Sequence, residues 1–403
     1  MNKNILIKNN IGKNYFNNNL YKKDKKKVTK VIKNIFLNLD KKKNTLHILS
    51  KKFDLELNYS KLKNFQNFKN VILIGMGGSI LGAKAIYSFL EKRIKKKFIF
   101  LDNLDQIKIK KIKKNINLKK SLFIIISKSG NTLETLVNTN LFKNSINHAN
   151  AIIITEKKTN LLNSFAKSKK ILQINHKNFV GGRYSVLSEV GMLPAYLMGL
   201  KLSLFRKDIL NFFKLKQNMF LIDSIIKLGH IYKSKKINSI ILLNYAPELN
   251  EFLHWFQQLV AESLGKKGKG LLPFVSPAPR DHHSLLQLYL DGPKDKLFYI
   301  FSSNLNEKMK INKNLFGKNF KFAENKELSN VRMAQKNALI QALKNKNIPY
   351  REFKIKRNNE ETLGELFSYF ILETVLIGDF IGINAFNQPG VEEVKILTKK
   401  YLS

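Results

Sequence analysis

The chain has 403 residues, with 72 lysines and arginines against 29 aspartates and glutamates, which gives a formal net charge of +43. A hydrophobic fraction of 44% excludes a disordered basic tail, and the absence of cysteine excludes disulfide scaffolds, thiol catalysis and Cys-ligated metals. No apolar run approaches the roughly 18 residues of a membrane span, and the first residues lack a signal-peptide pattern, so we expect a cytoplasmic protein without a membrane partner.

The first half of the chain alternates short apolar runs with helical patterns. Residues 1–66 are predicted as a polar N-terminal segment with helices, and residues 67–200 as a first subdomain. Strands alternating with helices predict a parallel, doubly wound sheet. The predicted strands are Val71–Ile74, Phe98–Leu101, Leu122–Ile126, Ala151–Ile154 and Ile171–Ile174.

The second half repeats this organisation. A helical connection over residues 201–236 leads to a second subdomain, residues 237–375, with predicted strands at Ser239–Ala246, Lys296–Ser303 and near Tyr350–Lys356. A long helix follows, and residues 376–403 are predicted as a C-terminal segment and tail. The fold class is therefore α/β, with two doubly wound parallel-sheet subdomains, a helical N-terminal segment and a C-terminal tail.

The lysines are distributed unevenly, which bears on the partner that the charge would suit. A basic chain suggests a nucleic acid, but such a binder needs lysine and arginine interleaved with aromatics on one face. Long segments lack lysine entirely, and we expect them to contain the core or the functional site. They are 129–142, 178–200, 237–265, 271–293 and 376–394.

Two loops lie between a predicted strand and a predicted helix. In the first loop, Gly75-Met76-Gly77-Gly78-Ser79, glycine lets the backbone approach an anion, and the helix N-terminus offers free N–H groups. A tight structural turn is the alternative, and the glycine spacing does not match the dinucleotide fingerprint. The second loop, Ser127–Thr135, has several hydroxyls and one lysine, which suit a phosphate monoester; a Ser/Thr-rich helix cap is the alternative. The pair resembles the sugar-isomerase domain, which binds sugar phosphates at strand ends.

Four further segments extend this resemblance. They are GGRYSVLSEVGMLP (181–194), QQLVAESLGKKGKG (257–270), RDHHSLLQLYLDGP (280–293) and NAFNQPGVEEVK (384–395). With the two loops, they resemble the phosphoglucose isomerase family, in the family's order, over residues 70–395. The resemblance implies interconversion of glucose 6-phosphate and fructose 6-phosphate through an enediolate, with no metal or redox cofactor.

Such an isomerisation needs an acid to open the sugar ring, a base to move a proton between C2 and C1, and donors to stabilise the enediolate. The resemblance implies that Glu262 is the base, that His283 opens the ring with assistance from Lys395, and that Arg183 stabilises the developing oxyanion. The residues alone are also consistent with a surface glutamate, an ion pair between Arg183 and Glu189, and a solvated tail lysine.

The choice between the adjacent His282 and His283 rests on the resemblance, because spacing cannot distinguish them. The preceding loop reads SPAPRD instead of a glycine-rich run, and Asn387 stands where aspartate is common. The family pattern also implies a set of residues that contact the substrate or its phosphate. These are Gly78, Ser79, Ser127, Lys128, Ser129, Thr132, Gly182, Gln258 and Gln388.

The resemblance implies a small-molecule sugar phosphate as partner and a homodimer in which His283 is supplied across the interface. No specific nucleic-acid partner is expected. Three alternatives stay open at this point: an isomerase of broader specificity that also accepts mannose 6-phosphate, a non-catalytic sugar-phosphate-binding regulator, and a basic nucleic-acid binder.

Overall fold

The computed structural model describes residues 4–16, 18–303, 309–312 and 316–403. Ten strands occur in this part of the chain. In order, they are β1 (Ile5–Asn10), β2 (Asn70–Gly75), β3 (Lys97–Leu101), β4 (Ser121–Ile126), β5 (Ala151–Thr155), β6 (Leu172–Asn175), β7 (Ser239–Asn244), β8 (Leu272–Pro277), β9 (Lys296–Ser303) and β10 (Tyr350–Ile355).

The α-helices connect and cover these strands. The described residues include α1 (Asn18–Asn38), α2 (Tyr59–Lys63), α3 (Leu81–Leu90), α4 (Gln106–Asn115), α5 (Leu133–Leu141), α6 (Leu161–Ser168), α7 (Glu189–Leu197), α8 (Leu202–Lys207), α9 (Leu215–Ser234), α10 (Asn250–Leu264), α11 (Leu286–Asp291), α12 (Leu328–Asn345), α13 (Glu360–Ile381) and α14 (Glu392–Leu402). Within the described ranges, no helix has the length and apolar content to span a membrane.

The strands form two five-stranded sheets, as the alternation of strands and helices predicts. The first sheet has the order β3-β2-β4-β5-β6 and is parallel throughout. The second has the order β1-β10-β9-β7-β8, in which only the β1–β10 pair is antiparallel. The α/β fold class with two mainly parallel sheets is therefore confirmed.

Two predicted details differ from the structure. The N-terminal segment, predicted as helical, also contributes β1, in which Ile5 is buried while Lys8 and Asn10 are exposed along a sheet edge. A boundary between 375 and 376 would fall inside α13, which continues to Ile381. A domain boundary there would cut a continuous helix.

Three hydrophobic clusters explain how the sheets pack. One cluster combines side chains from both sheets with α3, α10 and α13, so a layer of helices joins the two halves. The other two cover the outer face of each sheet. Strands β4 and β5 are buried along their whole length, which is why their sequences read as continuous apolar runs.

An ionic network lies buried in the second half. Arg351 on β10 is fully buried, and its Nη1 donates to Glu373 Oε2 at 2.7 Å and to the Tyr299 hydroxyl at 2.8 Å. Its Nη2 donates to the Tyr369 hydroxyl at 2.5 Å, and its Nε to Asn9 Oδ1 at 2.8 Å. This single side chain therefore joins β1, β9, β10 and α13.

Candidate active site

The first loop packs directly against two other parts of the predicted site. A Cβ on Gly78 would lie 2.2 Å from the carbonyl carbon of Gly182, so only glycine permits this approach. A Cβ on Gly77, at φ +51°, would lie 2.6 Å from Gln258 Nε2. Ser79 is buried at the end of the same turn. The structure thus brings the first loop, the GGRYS segment and Gln258 together.

The second loop follows β4, which pairs with β2 in parallel. Both loops therefore lie at the same edge of the first sheet, the one formed by the carboxyl ends of its strands. The hydroxyls of Ser127 and Thr132 are hydrogen-bonded at 2.9 Å, and Ser127 Oγ also accepts from Gly130 N at 3.2 Å. Ser129 Oγ accepts from the Asn131 backbone N–H at 3.2 Å. These hydroxyls and N–H groups form one small polar cradle.

Lys128 belongs to this loop, but its amine is engaged away from the hydroxyls. Lys128 Nζ donates to the carbonyl oxygen of Asn178 at 2.8 Å and lies 3.7 Å from Glu156 Oε1. Burial lowers the pKa of Lys128, while Glu156 acts in the opposite direction. The lysine must change rotamer to meet an anion in the cradle.

His176, just after β6, lies near Lys128 and is 1% exposed. Its Nδ1 lies 3.2 Å from the Lys177 carbonyl oxygen. Burial, with a smaller contribution from the Lys128 charge, lowers the pKa of His176 to about 4. The folded protein therefore holds this imidazole neutral, whereas an unfolded chain binds a proton below its ordinary pKa of about 6.5.

This difference predicts a pH-dependent stability. Between about pH 6.5 and pH 4 the unfolded state binds a proton that folded His176 does not, so about 3 kcal/mol of unfolding free energy is lost as pH falls. Urea unfolding of the wild type and of His176→Asn should show the steeper pH dependence in the wild type. Parallel curves over this range would contradict the assignment.

Arg183 is the centre of the site and is 2% exposed. Its Nη1 donates to Gln388 Oε1 at 2.6 Å and to Glu262 Oε2 at 3.3 Å. Its Nη2 donates to the Ala385 carbonyl at 2.6 Å, and its Nε to Ser263 Oγ at 2.8 Å. One guanidinium thus joins the GGRYS segment, α10 and the NQPGVE segment.

The alternative pairing of Arg183 with Glu189 does not occur. Glu189 instead lies 3.0 Å from Lys177 Nζ and accepts a hydrogen bond from the Glu56 backbone N–H at 2.9 Å. Arg183 is therefore left with Glu262 as its carboxylate partner.

Glu262 lies late on α10, one turn after Gln258. Gln258 Nε2 donates to Glu262 Oε1 at 2.8 Å, and Arg183 holds the other oxygen, so both carboxylate oxygens have protein donors. The Glu262 side chain is 31% exposed, and with Gln258 and Lys84 it lines an open cleft of about 530 Å³. This is a held, accessible carboxylate and not a freely solvated surface residue.

Lys266 also lies at this site, although it was not predicted from the sequence. Its Nζ donates to the Asn387 carbonyl at 2.7 Å and to the Glu262 carbonyl at 3.2 Å. Burial lowers the pKa of Lys266 to about 8, with the Arg183 charge acting in the same direction and Glu262 in the opposite one. The available signal was its position four residues after Glu262, just beyond the helix end.

The two histidines have different environments. His282 Nε2 is hydrogen-bonded to the Tyr245 hydroxyl at 2.6 Å, and burial lowers the pKa of His282. His283 is exposed, at the end of the 3₁₀ turn that follows β8. No hydrogen bond or ion pair within the described ranges joins His283 to Glu262. The structure of one chain therefore does not bring the predicted ring-opening group to the predicted base.

Lys395 is also apart from the site. It lies on α14, is 61% exposed, and pairs with Glu392 of the same helix at 2.7 Å. Nearly all of α14 is exposed, so Gln388 is the last residue of the NQPGVE segment that the structure ties to Arg183. The structure brings together Gly78, Gly182, Arg183, Gln258, Glu262 and Gln388, with the second loop at the same sheet edge.

The chain is similar to known proteins in both sequence and fold. The family model described as phosphoglucose isomerase matches residues 20–403. The glucose-6-phosphate isomerase of Methanocaldococcus jannaschii is 33% identical over 352 residues, which cover 84% of this chain and 85% of the relative. That of Campylobacter jejuni is 33% identical over 355 residues, covering 83% and 86%.

Solved structures show the same fold. A Thermus thermophilus protein described as hypothetical has a TM-score of 0.80 and 22% identity, covering 99% of this chain and 100% of the other. The glucose-6-phosphate isomerase of Chlamydia trachomatis has a TM-score of 0.76 and 18% identity, covering 99% and 88%.

Proposed function

The chain belongs to the phosphoglucose isomerase family, and from this premise we propose how its own residues carry out the family's reaction. It is an aldose–ketose isomerase that interconverts glucose 6-phosphate and fructose 6-phosphate. The observation that supports the mechanism best is Glu262, held between Gln258 and Arg183 in an open cleft. The comparisons favour neither a non-catalytic sugar-phosphate-binding regulator nor an isomerase of broader specificity that also accepts mannose 6-phosphate.

A coupled assay on the purified protein tests this function. Fructose 6-phosphate should be converted to glucose 6-phosphate, which a dehydrogenase then oxidises with a change in absorbance. Mannose 6-phosphate assayed under the same conditions should turn over far more slowly. Absence of turnover with fructose 6-phosphate would contradict the proposal.

We assign the substrate phosphate to the two loops at the edge of the first sheet. Ser79, Ser127, Ser129 and Thr132 supply hydroxyls there, and the strand-loop-helix geometry supplies free N–H groups. The ammonium of Lys128 adds charge once it leaves Asn178. The close approach of Gly78 to Gly182 leaves only backbone where the first loop meets the GGRYS segment. We place Gln388, held by Arg183, against the same phosphate.

The proton transfer then falls to Glu262. Its carboxylate takes the proton from C2 of the open-chain aldose and returns it to C1, and hydroxyl protons rearrange to give the ketose. The two carbons exchange oxidation level, so no external oxidant is needed. Arg183 lies 3.3 Å from Glu262 and can stabilise the negative charge on the enediolate oxygen. Gln258 orients the carboxylate.

Ring opening is proposed to use His283 of a second copy in a homodimer. Three observations support this: His283 is exposed, it follows the edge strand β8, and it has no link to Glu262 within one chain. Exposed apolar side chains lie on the same elements, with Leu272 at 68%, Phe274 at 43% and Leu288 at 48%. Such a patch is typical of a surface that another protein covers.

A shared site makes a specific prediction for mixed dimers. Glu262→Gln and His283→Asn should each abolish most activity alone. In a heterodimer of the two variants, one of the two sites has both groups intact. Random mixing by co-expression should therefore restore about a quarter of wild-type activity. The coupled assay on the unfractionated mixture of both chains measures this restoration, and heterodimers isolated through both tags should have about half of the wild-type activity.

Two results would contradict the supply of His283 by a second copy. Mixtures that stay inactive, although heterodimers are shown by tandem affinity purification, would contradict supply of His283 across an interface. A fully active monomer by light scattering would do the same.

Lys395 is proposed to assist ring opening after α14 moves toward the cleft. The exposed apolar side chains of this helix, including Val394 at 66% and Ile396 at 68%, are available to cover apolar surface in such a position.

We also propose a cytoplasmic location, because the sugar-phosphate substrate carries about two negative charges at neutral pH and does not cross bilayers unaided. No nucleic-acid partner is proposed.

A further inference from the structure

The chain forms a tight turn immediately after α10, between Gly265 and Gly270. An isolated antiparallel bridge pairs Lys266 with Lys269 across it. Lys267 at φ +55° and Gly268 at φ +65° form its tip, where the left-handed backbone reverses the chain. The bridge places two lysine side chains at the base of one rigid turn.

Both of these lysines bind carbonyl groups of the same distant segment. Lys266 Nζ donates to the Asn387 carbonyl at 2.7 Å, and Lys269 Nζ donates to the Ile381 carbonyl at 2.8 Å. Ile381 is the last residue of α13, where carbonyl groups have no partner within the helix. The two amines therefore hold both ends of the stretch that leads from α13 to the NQPGVE segment.

This stretch ends where the chain becomes exposed. Ile383 and Ala385 are buried, but Asn387 and the residues after it are exposed. Arg183 Nη2 also donates to the Asn387 carbonyl, at 3.0 Å. Two cations thus converge on one carbonyl oxygen, immediately before Gln388, and charge-assisted hydrogen bonds of this kind are stronger than neutral ones.

We propose that the turn 265–270 is a clamp, and that Lys266 is a positioning residue that sets Gln388 for contact with the substrate phosphate. The role of Gln388 rests on the proposed function, whereas the clamp itself does not. The turn follows the helix that carries Glu262, so the clamp fixes the phosphate contact relative to the base.

Kinetics of single variants test the positioning role. Lys266→Met should raise KM for fructose 6-phosphate about tenfold, as expected for one lost charge-assisted hydrogen bond, and lower kcat by less than about threefold. Lys266→Arg should restore most of the loss. Lys267→Met in the same turn is the matched control and should leave both constants unchanged. A change in kcat alone would overturn the positioning role.

A double-mutant cycle shows whether Lys266 acts through Gln388. If it does, Lys266→Met should add nothing to the KM of Gln388→Ala. Fully additive effects would overturn the proposal, because Lys266 would then act by another route.

Hydrogen–deuterium exchange tests the clamp without any need for activity. Lys266→Met and Lys269→Met should each speed exchange in the peptide covering residues 384–391, and Lys267→Met should not. Unchanged exchange in both variants would overturn the clamp. A wild type that exchanges slowly there but does not isomerise fructose 6-phosphate would contradict the proposed function and leave the clamp standing.

Discussion

Glu262→Gln is expected to lower kcat/KM for fructose 6-phosphate by about 10³-fold, since the reaction loses its general base. Glutamine has nearly the same shape and can still accept a hydrogen bond from Gln258, but its amide cannot take a proton from C1 of fructose 6-phosphate. Because Arg183 keeps its hydrogen bonds to Gln388, Ser263 and the Ala385 carbonyl, the fold should be retained, with a thermal midpoint lowered only modestly by loss of the carboxylate beside this buried cation. The coupled assay and a thermal melt measure the two quantities.

A second readout isolates the proton-transfer step. In deuterium oxide, the wild type should incorporate deuterium at C2 of glucose 6-phosphate, and the variant should not, as followed by NMR. Glu361→Gln is the control, because this carboxylate pairs only with the exposed Lys207 in the described structure. Wild-type turnover or wild-type exchange in Glu262→Gln would show that another group is the base.

Arg351→Met is expected to lower the free energy of unfolding by about 3–5 kcal/mol, more than any other variant proposed for this chain. The substitution leaves the carboxylate of Glu373, which is 2% exposed, without its cation in the core. The hydroxyls of Tyr299 and Tyr369 also lose a donor. Urea unfolding followed by circular dichroism should show a clearly lower midpoint.

Two further variants separate the buried charge from the lost contacts. Arg351→Met combined with Glu373→Leu should recover much of the loss, because no unpaired charge is then buried. Lys207→Met, which breaks the exposed ion pair with Glu361, should leave the urea midpoint close to that of the wild type. A loss for Arg351→Met no larger than for Lys207→Met would show that the network contributes little.

The sequence predicted the strands that are covered on both faces, and it missed two that lie at edges. Strands β2, β4 and β5 appear as continuous apolar runs because nearly every residue in them is buried. Strands β1 and β8 close the second sheet on its two sides, and their side chains alternate between buried and exposed environments. The edge strands β3 and β6 were predicted because residues 98–101 and 171–174 are mainly apolar, whereas the polar residues that end β1 and the prolines Pro273 and Pro277 in β8 interrupt the apolar run on which the prediction depended.

The residues of the candidate site also fall into two groups, those indicated by sequence motifs and those that only the tertiary packing brings together. The family resemblance of the segments 181–194 and 257–270 indicated Arg183, Gln258 and Glu262, because the residues of such motifs lie close together in the sequence. Contacts between distant segments, such as Lys266 with Asn387, depend on how the two halves pack and have no local signature. The same tertiary arrangement determines the hydrogen bond of Lys128 to the Asn178 carbonyl and the exposed position of Lys395.

The pairing of β1 with β10 imposes an order on the way the chain is completed during synthesis. Asn10 pairs with Tyr350, so these residues leave the ribosome 340 positions apart. All strands of the first sheet lie between residues 70 and 175 and can assemble early. The N-terminal strand has to wait, as does Asn9, which supplies an acceptor to the Arg351 guanidinium. Strand β1 therefore precedes the first sheet in the sequence but is completed after it.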